Sequence, residues 1–65
     1  MKHFYFIENN TGEEFIVGAK SLAAAKAIAK DVAHNIADWE GYDPDLSYEY
    51  EMTEEEAEAS GLDEY

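Results

Sequence analysis

From Asp38 to Tyr65 the chain carries twelve carboxylates and no lysine or arginine. Carboxylates at this density offer three kinds of chemistry: acid/base catalysis by a pair, capture of a divalent cation, or display of negative charge to a basic partner. Catalysis needs two acids held in a cleft with their pKa values pushed apart. A chain of 65 residues leaves little room for a cleft between elements. His3 and His34 are the only histidines and lie far apart, so no Ser/His/Asp set assembles. Nothing resembles a glycine-rich phosphate loop. The sequence argues against an enzyme and implies no cofactor.

Metal capture centres on Asp38, Glu40, Asp43 and Asp45, which cluster around a turn. The calcium-loop pattern wants acids at alternate positions and glycine at the sixth. Counted from Asp38, the fifth position is Tyr42 and the sixth is Asp43. No dedicated metal site is expected, and weak divalent-metal binding stays as an alternative.

Charge display has the clearest sequence support. Before residue 38, Glu8, Glu13, Glu14 and Asp31 are balanced by Lys2, Lys20, Lys26 and Lys30, so the formal charge of −12 belongs to the final 28 residues. Such a surface repels nucleic acid and anionic membranes, and the chain has no arginine for phosphate contacts. Direct nucleic-acid or membrane binding is therefore not expected. The expected partner is a protein with a basic surface. Glu49 and Glu51, two apart on a strand, would point the same way about 6.6 to 6.8 Å apart. Glu54, Glu55, Glu56 and Glu58 would continue that field on a short helix, with Asp38, Glu40, Asp43 and Asp45 bounding it near the turn. Duplex DNA presents a phosphate about every 3.4 Å along each strand, so carboxylates at this order of spacing could occupy a groove built for nucleic acid.

The short, arginine-free, tyrosine-bearing and strongly acidic chain resembles the small acidic inhibitors of nucleic-acid enzymes made by bacteriophages and mobile elements. The resemblance is one of composition, and it implies a decoy for a DNA- or RNA-binding protein. Tyr42, Tyr48, Tyr50 and Tyr65 interleave with the acids, and tyrosine is enriched in protein interfaces. The plainer reading puts Tyr48 and Tyr50 in the core.

The elements that must hold these residues are legible in outline. KHFYFIE, then NNTG, then EEFIV reads as a β-hairpin. With Glu8 opposite Glu13, Phe6 faces Phe15 and Phe4 faces Val17, which makes one face wholly apolar. The other face pairs Ile7 with Glu14 and Tyr5 with Ile16. Ser21 and Gly41 bracket a helix on which Leu22, Ala25, Ile28, Ala29, Val32, Ile36 and Trp39 recur at spacings of three and four. That stripe should cover the phenylalanine face, with Trp39 closing one end. After the turn at Pro44, Leu46, Tyr48, Tyr50 and Met52 alternate with Ser47, Glu49 and Glu51, giving a third strand antiparallel to the first. Thr53 and Glu56 fit a capping box before a helix of about two turns.

The expected fold is α+β: a ββαβ domain over residues 1–52, with a three-stranded antiparallel sheet of order 2-1-3 and one helix on one face. Residues 53–65 add a short acidic helix and a frayed tail. The half-apolar outer face, with Tyr5, Ile7 and Ile16, offers an alternative interface through which the chain would form a homodimer or larger assembly. With apolar content of 46% the chain should fold despite its charge. It has no cysteine to staple a core that buries only about 60% of the unfolded surface. The apolar run near the N-terminus is too short for a signal peptide or a membrane span, and the expected location is the cytoplasm.

Overall fold

A computed structural model describes residues 1–65. Strand β1 (Lys2–Glu8) turns back into β2 (Glu13–Ala19) in the register that the paired glutamates imply. Glu8 lies opposite Glu13, Phe6 opposite Phe15, Tyr5 opposite Ile16 and Phe4 opposite Val17. The reversal depends on Gly12, whose φ of 75° lies in the left-handed region open to glycine, and whose N–H donates to the Glu8 carbonyl at 2.8 Å. The Phe6 and Phe15 rings stack across the pair at 5.9 Å.

Helix α1 (Leu22–Glu40) begins at Ser21, whose hydroxyl accepts from the Ala24 N–H, and ends at Gly41, with φ of 81°. It buries Ala25, Ala29, Val32, Ala33 and Ala37, and of these Ala25, Ala29 and Val32 pack in one cluster with Phe4, Phe6, Phe15, Val17 and Ala19. Four alanines on this face let the helix backbone lie close to the sheet, and that choice rotates the stripe away from the expected one. At 3.6 residues per turn, Ile28 and Trp39 fall about 80° to 100° to one side of the buried centre. Ile28 is accordingly 38% exposed and Trp39 91% exposed. Trp39 closes nothing; it stands in solvent.

Strand β3 (Leu46–Met52) pairs antiparallel with β1, as expected, but not in one uninterrupted register. Phe6 lies opposite Tyr48 while Tyr5 lies opposite Tyr50, leaving Glu49 as the extra residue of a bulge. One inserted residue reverses the facing of all that follows. Leu46 and Tyr48 pack under α1, whereas Tyr50 meets Tyr5 edge-on at 5.2 Å and Met52 is buried on the opposite face. The single apolar side expected for this strand is divided between the two faces of the sheet.

The largest departure comes after Met52. The expected three-stranded antiparallel sheet with one helix is replaced by a four-stranded mixed sheet, order β3-β1-β2-β4, with two helices. Helix α2 (Glu54–Ser60) starts from the capping box of Thr53 and Glu56 and lies on the face opposite α1, where Ala57 packs with Ile16 and Met52 and is flanked by Tyr5 and Leu62. Gly61, with φ of 71°, then returns the chain to a two-residue strand, β4 (Asp63–Glu64), parallel to β2. Tyr65 extends the join: its N–H donates to the Ile16 carbonyl at 2.8 Å, and its carbonyl accepts from the Gly18 N–H at 2.9 Å. Residues 53–65 thus form a helix and an edge strand. The crossover through α1 and the one through α2 run in opposite directions over opposite faces, which gives them the same hand, as a twisted sheet demands.

At the β4 side His3 Nδ1 and the Glu64 carboxylate lie 2.5 Å apart, the one close contact between a basic and an acidic side chain in the protein. Gly18 leaves the space for it: a Cβ there would sit 2.9 Å from the Glu64 carboxylate oxygen.

Candidate interaction surface

The turn that carries Asp43 and Asp45 is held by Glu8, which in the sequence is marked only as the end of a strand. Glu8 is fully buried, and its carboxylate accepts from the Asp45 N–H at 2.7 Å, the Thr11 N–H at 3.0 Å and the Asn10 side chain at 3.1 Å. Asn10 in turn donates to the Asp43 carbonyl at 2.8 Å, and the Asn9 N–H to the Asp45 carbonyl at 2.7 Å. The hairpin loop and the residue 43–45 turn are in this way one hydrogen-bonded unit. Burial pushes the Glu8 carboxyl up, but the donors from Asp45, Thr11 and Asn10 outweigh it and hold the group below the ordinary carboxylate value. Beside it the Tyr42 hydroxyl is buried without a hydrogen-bond partner. Desolvation, with the charges of Glu8 and Glu40, pushes that phenol up.

All ten acids expected to face a partner are exposed. Asp38 and Glu40 occupy the last turn of α1, Asp43 and Asp45 the following turn, and Glu49 and Glu51 the free edge strand. Glu54, Glu55, Glu56 and Glu58 lie on α2, across the sheet from α1. The set therefore wraps around the β3 edge from one face to the other and does not form a flat array. The bulge interrupts the regular spacing expected between Glu49 and Glu51. Glu56 is partly engaged at home, accepting from the Thr53 N–H at 3.0 Å. None of the ten forms an ion pair.

Two of these acids sit where the helix itself disfavours them. The last turn of α1 contains Asp38 and Glu40 and no basic residue, although a helix C-terminus carries partial negative charge. We expect Asp38→Lys to raise stability by about 0.5 to 1 kcal/mol, read as a higher urea midpoint, with the gain shrinking as salt is added.

The apolar alternative fares differently. Ile16 is buried beneath α2 and Tyr5 packs beside it, with its hydroxyl donating to Glu14. That hydrogen bond, reinforced by burial and the Glu14 charge, pushes the Tyr5 phenol up to about 12. Ile7 is half-buried. The outer sheet face that could have joined two copies is largely occupied by the chain's own second helix.

Two open grooves flank α1. One, of about 410 Å³, runs toward β3 and is lined by Phe6, Lys26, Lys30, Leu46 and Tyr48. The other, of about 340 Å³, lies toward β2 and is lined by Glu13, Asn35, Ile36, Trp39 and Glu40. Nowhere do three or more His, Asp or Glu side chains converge as a metal site would need, and the acids at residues 38–45 are no exception. No helix is long and apolar enough to cross a membrane. Comparison with known proteins returned no matching family model, curated protein or solved structure.

Proposed function

We propose that this protein is a non-enzymatic acidic binding module, in which the carboxylates wrapped around the β3 edge dock on the basic surface of a DNA- or RNA-binding protein and block it. The observation that carries the reading is the state of those ten carboxylates: exposed, without an ion pair, and in α1 placed against the helix dipole. A surface kept only for solubility has no reason to place acids where they weaken a helix. The bulge at Glu49 makes the likeness to nucleic acid one of charge density on a curved edge, not of phosphate spacing. Tyr50, 51% exposed on the same strand, adds an aromatic contact within the charged field. A cytoplasmic inhibitor of the kind made by phages and mobile elements fits this reading.

The test is capture of partners from bacterial lysate at low and high salt, followed by competition with duplex DNA. A nucleic-acid protein that is released by either salt or DNA is the expected result, because exposed charge pairs are screened. Changing Glu49, Glu51, Glu54 and Glu55 together to glutamine should abolish that capture and leave the circular dichroism unchanged. Undiminished capture by the fourfold variant would overturn the proposal.

A further inference from the structure

Trp39 is the largest apolar side chain on the surface, 91% exposed, and it is held there by the fold. The alanine face of α1 fixes the helix rotation. Beyond β2 the sheet offers only the two-residue β4, so no element extends under that flank. Trp39 forms one wall of the groove that Ile36, Asn35, Glu40 and Glu13 complete. Neither carboxylate in that groove has an ion-pair partner. An exposed indole beside two unpaired carboxylates is suited to one kind of group, a flat cation that stacks on the ring while its N–H donors reach the acids.

We infer that this groove, on the β2 side of α1 and joined to the acidic set around the β3 edge only through Glu40, seats an arginine side chain of the basic partner. The inference rests on the proposed function for the sign of the partner's charge, and adds where the partner is gripped and by which residue. Arginine fits better than lysine because a guanidinium can stack on the indole and still donate in its own plane to Glu13, Glu40 and the Asn35 carbonyl oxygen. The net charge of −12 draws such a cation toward the domain before any contact forms. Once seated, it would shield the indole from water, and a shielded tryptophan is the residue type that most often dominates an interface. The same charge disfavours a second copy of the chain as occupant, since two strongly acidic domains would have to meet.

Trp39 is the only tryptophan, so its fluorescence reports on this groove alone. The probes are two eight-residue peptides of alternating glycine with arginine or with lysine, titrated into the full chain at low salt. The arginine peptide should change Trp39 emission saturably and bind more tightly than the lysine peptide. By calorimetry, W39A should bind it at least about tenfold more weakly, and E13Q several-fold more weakly. Because Trp39 is exposed, W39A should retain the circular dichroism of the parent.

Equal affinity of the parent and W39A for the arginine peptide, with E49Q/E51Q/E54Q/E55Q weakened, would overturn the arginine seat while sparing the acidic surface. No binding of either peptide to the parent would overturn both readings. An emission change that follows protein concentration without peptide would assign the groove to a second copy and likewise overturn the arginine seat.

Discussion

Glu8→Ala lowers the stability of the domain by about 3 kcal/mol or more. The substitution leaves the Asp45 and Thr11 N–H groups and the Asn10 amide without the carboxylate they share, in a place where Glu8 itself is fully buried. These hydrogen bonds are part-buried, and a donor that loses its acceptor in such a place costs about 1 kcal/mol. A chain of 65 residues has a total stability of only about 3 to 10 kcal/mol, so much of this variant should be unfolded at room temperature. A urea or thermal midpoint followed by circular dichroism measures the loss. A change below about 0.5 kcal/mol, the range of an ordinary surface substitution, would mean that Glu8 does not organise the two loops.

The same carboxylate makes stability depend on pH, and the direction follows from its environment. Its pKa is lowered on folding from an ordinary value of 4.5, so the folded state holds the ionised form more firmly than the unfolded chain does. The stabilisation is fully present above the unfolded value and is lost as pH falls through the folded one. Glu8→Gln, which keeps the shape and one acceptor, should remove this acid-sensitive component while costing less at neutral pH than Glu8→Ala. Urea midpoints for both proteins between pH 7 and 3 separate the Glu8 contribution from that of the exposed acids, which the variant retains. Parallel curves would contradict the assignment.

The physical origin of these features explains which of them the sequence could reveal. Hairpin register is local: with Glu8 opposite Glu13 the phenylalanines fall in phase on one face, and a three-residue loop with a bulge, the other pairing open to the sequence, is not the one adopted. The ends of α1 are similarly local, since Ser21 and Gly41 do their work within one turn. The bulge at Glu49 is not local. Tyr48 and Tyr50 look alike in an alternating strand, and only the need to cover two sheet faces separates them. Trp39 departs from the expected stripe for the same kind of reason. Leucine, isoleucine and tryptophan dominate a helical stripe on paper, but close approach to the sheet favoured the alanines. The acidity of the candidate surface was plain in the composition, whereas its wrapping around an edge depended on α2 crossing to the far face. Glu8 was least visible, because a buried carboxylate satisfied by peptide N–H groups has no sequence pattern beyond lying next to a turn.

Ending the chain at Met52 should abolish the native fold, although β1, β2, α1 and β3 would all still be encoded. If a ββαβ unit were complete, the loss of thirteen acid-rich residues would relieve repulsion and stabilise it. In the observed fold the same truncation uncovers Ile16 and Met52, now 0% and 7% exposed, and frees the Ile16 carbonyl and the Gly18 N–H from Tyr65. Exposing two side chains of this size costs about 3 to 6 kcal/mol, comparable to everything a domain of this length has to hold it together. The outer face would then carry Tyr5, Ile16, Tyr50 and Met52 together, enough apolar surface to drive aggregation. The expected result is loss of the cooperative thermal transition, with aggregates or expanded species in size-exclusion chromatography. A monomeric truncated chain that melts cooperatively at or above the parent's midpoint would show α2 and β4 to be dispensable. If the fold is lost as expected, the acidic segment closes the core with Ala57 and Leu62 while its glutamates face outward. Glu54, Glu55, Glu56 and Glu58, four of the ten displayed acids, would then share these thirteen residues with the folding contacts, and the binding variants must change glutamates only, leaving Ala57, Leu62 and the Thr53–Glu56 cap in place.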